Sequence, residues 1–135
     1  MILADTNVLI DVIESDPIWA DWSQEQLDLA MAIGTVAIND VVYAELSMGY
    51  SRTVELDQMI LATEIVLEPI PRAALFMAGK AFQRYRAAGG SRTGVLPDFF
   101  IGAQAVAMDA PLITRDPRRY RTYFPGIELI TPSVN

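Results

Sequence analysis

The residues of this chain best equipped for chemistry are four carboxylates. Asp5 closes the apolar run Met1-Ile2-Leu3-Ala4, and Glu45 lies within Val41-Val42-Tyr43-Ala44-Glu45-Leu46. Asp98 opens the nearly uncharged stretch from Phe99 to Met108, and Asp116 follows Pro111-Leu112-Ile113-Thr114-Arg115. Burying an unpaired carboxylate is costly, so acids at the edges of core segments are usually paired, hydrogen-bonded or bound to metal. Four of them predict a converging acidic pocket, in which like charges repel and raise one another's proton affinity. A divalent cation relieves that repulsion, and an all-oxygen site selects Mg²⁺ or Mn²⁺ over zinc. Such an ion lowers the pKa of bound water and stabilises charge on a phosphoryl oxygen. Asp5, Glu45, Asp98 and Asp116 are therefore the candidate ligands and catalytic groups of a hard-cation site, at which phosphodiester hydrolysis would need no histidine. Asn7 and Thr114 fall near the same strand ends and are candidate accessory residues, orienting waters or carboxylates.

Each acid also has a structural reading. Aspartate before a helix is a common N-cap, which suits Asp5 and is compatible with a second role. Asp98 follows Pro97 in the first turn of a helix, where the dipole favours an anion, although Ile101, Gly102 and Ala105 make its face apolar. Glu45 borders a buried helix face, where an arginine could neutralise it. Asp116 precedes Pro117, and Asp-Pro often opens a turn. Arg115 is a ready partner for Asp116 or another site acid.

The 135 residues suit one domain, spanning 1–135, and a chain 52% hydrophobic is globular rather than disordered. Without histidine, serine–histidine hydrolysis, imidazole zinc sites and histidine acid–base chemistry are excluded; without cysteine, so are thiolate ligands. The lack of cysteine, of a signal-like N-terminus and of any apolar run near membrane-spanning length points to the cytoplasm.

The elements that must position the acids read as short apolar strands alternating with helices. Strands are predicted at Ile2–Ala4, Thr35–Ile38, Leu67–Ile70, Leu112–Thr114 and Ile127–Ile130, with helices between them. In the helix starting at Asp16-Pro17 and ending at Gly34, Ile18, Trp22, Leu29 and Ile33 form a loose apolar stripe. In the helix from Arg52, the inward positions are Val54, Met59, Ile60, Thr63 and Leu67. A glycine-containing loop from Ala87 to Leu96 is expected to be mobile. The pattern describes an α/β domain, a mainly parallel sheet with helices on both faces, whose site lies at the carboxyl ends of the strands.

The net charge of −7 hides a polarity. Residues 1–71 hold thirteen acids and one base, whereas residues 72–135 hold four acids and nine bases, eight of them arginine. Such a chain can present a basic face to a polyanion despite its acidic total.

Taken together, Leu3-Ala4-Asp5-Thr6-Asn7-Val8-Leu9-Ile10, Val42-Tyr43-Ala44-Glu45-Leu46, Leu96-Pro97-Asp98-Phe99-Phe100-Ile101-Gly102-Ala103-Gln104-Ala105 and Leu112-Ile113-Thr114-Arg115-Asp116 resemble the PIN-domain ribonucleases, within them the VapC-type toxins of toxin–antitoxin pairs. The order and spacing match over essentially the whole chain. The resemblance implies a three-layer α/β/α sandwich, an Mg²⁺- or Mn²⁺-dependent endoribonuclease, homodimers, and a cognate antitoxin that blocks the groove. It makes Asp5, Glu45, Asp98 and Asp116 the acidic ligands, with Asn7 and Thr114 accessory. Lys80, Arg84, Arg86, Arg92, Arg115, Arg118, Arg119 and Arg121 are then expected to hold RNA backbone beside the acids. Trp19, Trp22, Met31, Tyr50, Met59 and Leu61 are expected to contribute a protein–protein surface. Competing readings are a non-catalytic module of the same fold, a DNA-directed nuclease, and an aspartyl-phosphate phosphatase. The last needs a second aspartate where Asn7 stands.

Overall fold

Short β-branched and aliphatic runs bounded by polar residues become the strands of a central sheet, and the computed structural model describes residues 1–92 and 94–132. In chain order the elements are β1 (Ile2–Ala4), α1 (Thr6–Ile13), α2 (Ala20–Ile33), β2 (Val36–Ile38), α3 (Asp40–Ser47), α4 (Thr53–Thr63), β3 (Val66–Leu67), α5 (Arg72–Ala87), α6 (Leu96–Met108), β4 (Leu112–Ile113), α7 (Arg118–Tyr123) and β5 (Leu129–Ile130). The five strands pair in parallel in the order β3-β2-β1-β4-β5. β1, β2 and β4 are buried throughout, as expected of strands covered on both faces. Helices on the two faces complete a three-layer α/β/α sandwich.

The sheet determines where the site can form. β1 pairs with β4 in the register Leu3 to Leu112 and Ala4 to Ile113, so Asp5 and Thr114 emerge side by side at adjacent carboxyl ends. α1 begins there because Asp5, with extended backbone, accepts the Thr6 amide at 2.7 Å. Asn39 does the same for α3, accepting the Val42 amide at 2.9 Å. α6 enters the core through Phe99, Ile101, Gly102, Ala103 and Ala105, which leaves Asp98 at its mouth.

Two predicted helix faces require correction. In α2 the buried positions are Ser23, Leu27 and Ala30, while Leu29 and Ile33 are 55% and 82% exposed, and Ile18, which precedes the helix, is 77% exposed. The helix begins only at Ala20, and the small Ser23 and Ala30 flank Leu27 on the face turned to the core. In α4 the buried residues are Leu56 and Ile60; Val54 is exposed, and Leu67 belongs to the edge strand. The predicted glycine-containing loop joins α5 to α6, and Thr93 within it lies outside the described residues. Among the described residues, no helix is long and apolar enough to cross a membrane.

Candidate active site at the carboxyl edge of the sheet

Asp5 is buried at the end of β1 and receives hydrogen bonds on both oxygens. Its Oδ1 accepts the Thr6 amide, and its Oδ2 accepts the Thr114 and Tyr120 hydroxyls at 2.8 Å each and the Asn7 amide at 3.4 Å. Burial nevertheless pushes its pKa up to about 6, helped by the charge of Asp98 and opposed by those donors. The cap and the site are one residue, so the two readings of Asp5 coexist.

Around it, Glu45 is half-buried on α3 and accepts the Thr6 hydroxyl at 2.7 Å. Asp98 is paired with Arg119 of α7. Burial raises the Asp98 pKa, the Arg119 charge opposes it, and the charges of Glu45 and Asp116 add to the rise. Asp116 is exposed, and its backbone amide donates to the Thr114 hydroxyl at 3.1 Å. Thr114 is fully buried and ties three site residues together, since Asn7 also donates to its hydroxyl at 3.4 Å. Asn7 in turn accepts the Arg115 amide at 3.3 Å.

The acids share an electric field without forming a ready-made ligand set. Among the described residues, no three acidic side chains stand close enough together to hold a metal ion. Asp98 is turned onto Arg119, and Glu45 accepts from Thr6. The chemistry of the donors still fits a hard divalent cation. They are carboxylate oxygens; burial, with like charge added, raises the proton affinity of Asp5 and Asp98, and a cation would favour their charged forms.

The basic residues separate into different groups. Arg115, predicted both as an RNA contact and as a partner for Asp116, instead pairs with Asp11 through Nε at 2.7 Å and Nη2 at 3.0 Å. Asp11 is 1% exposed, accepts the Ser23 hydroxyl at 2.9 Å, and raises the Arg115 pKa. Arg115 also lies 5.7 Å from the Trp19 ring, so its charge ties the β4–α7 connection to α1 and to the segment leading into α2. Arg92, Arg118 and Arg119 line one cleft with Tyr85, Tyr123 and Asp116. Lys80, Arg84 and Arg86 line no part of it; Lys80 lies over Phe76 and Arg86 near Phe82 on α5. Arg121 is exposed on α7.

Of the residues expected to form a protein–protein surface, Trp19, Trp22, Met31, Tyr50 and Met59 are half-buried, and Leu61 is 79% exposed. The larger exposed apolar groups include Ile18, Ile33, Met48 and Phe76.

Two site residues escaped the reading of the sequence. Tyr120, 1% exposed, donates to Asp5, but between Arg119 and Arg121 it reads as surface. Asp11 sits between Ile10 and Val12, and that apolar flanking was a usable signal of a buried acid in need of a partner.

A parallel α/β/α sandwich with acidic residues along one edge of its sheet defines the class to which the fold belongs. A family model described as the PIN domain matches residues 2–125, and the chain belongs to that family. Among solved structures it is similar to a chain of VapBC2 from Rickettsia felis bound to a promoter DNA fragment, at 22% identity and TM-score 0.73, covering 97% of this chain and 98% of that one. A toxin–antitoxin complex from Klebsiella pneumoniae matches at 22% identity and TM-score 0.72, over 98% of each chain. VapBC-1 from nontypeable Haemophilus influenzae matches at 20% identity and TM-score 0.71, over 97% of this chain and 98% of that one. Comparison with curated proteins found no match.

Proposed function

We propose that this chain is a metal-dependent endoribonuclease acting as the VapC-type toxin of a toxin–antitoxin pair. The observation that supports the reading is that Asp5 lies buried at the sheet edge on Thr114, with Glu45 linked to it through Thr6, Asp116 through Thr114, and the charge of Asp98 acting on it. PIN-family membership and the likeness to solved toxin–antitoxin complexes support it. Mg²⁺ or Mn²⁺, when bound by these carboxylates, would activate water and stabilise phosphoryl charge. Thr114, Asn7 and Thr6 hold the carboxylates in place through the hydrogen bonds already described. Lys80, Arg84, Arg86, Arg92, Arg118, Arg119 and Arg121 would hold the RNA backbone by phosphate contact, which positions the strand without reading its sequence.

The protein partners follow from the same reading. An antitoxin would cover the groove between α1 and α3, lined by Ile10, Ile13, Leu46, Met48 and Tyr50 with Glu14 and Glu45 at its side. A homodimer would cover further apolar surface of the toxin. Cytoplasmic action and a single nuclease domain complete the proposal.

The test is calorimetric titration of the purified chain with Mn²⁺ beside an Asp5→Asn, Asp98→Asn variant, with RNA and DNA cleavage measured in parallel. The proposal expects Mn²⁺ binding and RNA cleavage by the parent chain, and loss of both in the variant. Equal binding by the two proteins would sink the metal site. Cleavage of DNA alone would move the activity to the DNA-directed reading, and cleavage of neither to a binding module.

A further inference from the structure

We infer that the cleft between the end of α5 and α7, which adjoins the acids at Asp116 and Arg119, is a binding site for one backbone phosphate of the RNA strand. The inference rests on the nuclease reading for the identity of the strand, and on the cleft itself for the site. Its wall carries Arg92, Arg118 and Arg119 with Tyr85 and Tyr123, and Asp116 stands at its boundary with the acidic site. A volume of about 320 Å³ accommodates a phosphodiester with part of its sugar, not merely a water.

The donors are arranged for an anion. Among the described residues, the side chains of Arg92 and Arg118 have no ion-pair partner and both line the cleft, whereas Arg115 is held by Asp11 and Lys80 lies over Phe76. Arginine presents a planar fork of N–H donors that matches phosphate oxygens. Tyr85 is fixed by packing against Phe82, Phe99 and Tyr123, with ring centroids 5.7, 5.6 and 6.1 Å away. Its hydroxyl oxygen accepts the Arg92 amide at 3.2 Å, so its own proton remains to donate into the cleft. A Cβ on Gly90 would fall 2.5 Å from the Tyr85 ring, so glycine lets the chain before Arg92 lie flat on that ring. The loop that brings Arg92 into the cleft is thus seated by contacts, not left to chance.

Arg119 connects the two sites. It lines the cleft and neutralises Asp98 on the other side. Asp116 would repel a bound phosphate and so favours a seat on the arginine side of the cleft. This position would give the strand a fixed register across the carboxylates.

Fluorescence anisotropy with a short single-stranded oligoribonucleotide, in EDTA, tests the site on the full chain without need of a metal. An Arg92→Gln, Arg118→Gln variant is compared with Arg52→Gln, Arg72→Gln, which removes equal charge elsewhere. The cleft variant should bind about ten-fold more weakly, with a salt dependence shallower by roughly one unit of slope, and the control within about two-fold of the parent. Equal weakening by both variants would mean a diffuse basic field and overturn the inference, as would an unchanged cleft variant. Mn²⁺ titration of the same proteins separates the two claims. A parent chain that binds no Mn²⁺, yet loses RNA only with the cleft pair, removes the nuclease reading and keeps the phosphate site. Intact Mn²⁺ binding with RNA held equally by all three proteins does the reverse.

Discussion

Asp5 accepts four hydrogen bonds and still holds its proton to about pH 6, because burial and Asp98 outweigh its donors. The sign of the consequence follows from the shift. Its folded pKa lies above the ordinary 3.8, so the native state takes up the proton first, and this group adds stability as pH falls from about 6 toward 3.8. The span is worth about 3 kcal/mol, as an order of magnitude. A cation must displace that proton, so Mn²⁺ affinity should fall as pH drops through about 6. Tyr120 donates to Asp5 and thereby lowers its pKa, so Tyr120→Phe should shift that loss upward by about one pH unit and cost about 1–2 kcal/mol of stability. Mn²⁺ titrations from about pH 5 to 8, with thermal melts of both proteins, decide the point. A lowered melt with an unmoved metal profile would make Tyr120 a structural residue only. At this scale the four acids were legible because charge interrupts apolar runs. Tyr120 was not, because nothing local distinguishes a buried phenol from a surface one among arginines.

α7 is the element on which the site depends most, since its six residues carry both Arg119 and Tyr120. It is held to α6 by Phe124, whose ring lies so near Gly102 that an added Cβ would sit 2.5 Å from it. Phe124 is 5% exposed and has little room to retreat. Gly102→Ala should therefore cost about 1–3 kcal/mol by overpacking and, by tilting α7, weaken Mn²⁺ binding as well. Gly126→Ala is the control, with nothing within 4 Å of its Cβ, and should change stability by less than about 0.5 kcal/mol. Melts and Mn²⁺ titrations of the two variants measure both effects; a destabilised Gly102→Ala with unchanged metal affinity would show that α7 does not position the acids. The strands could be read from the chain because a parallel strand buried on both faces is an unbroken apolar run. The face of α2 could not: its core contacts are Ser23, Leu27 and Ala30, while Leu29 and Ile33 stay exposed, as does Ile18 ahead of the helix. Apolar residues kept for a surface look the same in sequence as those kept for a core.

Over the whole molecule, charge is segregated: residues 1–71 carry −12 and residues 72–135 carry +5. That division was plain in the sequence, but the distribution of the bases among Asp11, Asp98, α5 and the cleft depended on packing and was not. Self-repulsion within an excess of acids opposes the compact state, and any salt should relieve it by screening. A specific divalent site should do more, because a ligand that binds only the native state stabilises it by RT ln(1 + [L]/Kd). Thermal melts in MgCl₂ and in NaCl of matched ionic strength separate the two effects. With Mg²⁺ at about ten times its Kd, the excess should be about 1.4 kcal/mol, or a few degrees of melting temperature for a chain of this size. The Asp5→Asn, Asp98→Asn variant should retain the shift produced by NaCl and lose the excess in MgCl₂. Equal shifts in the two salts for the parent chain would mean that screening alone acts, and that the four acids only repel one another.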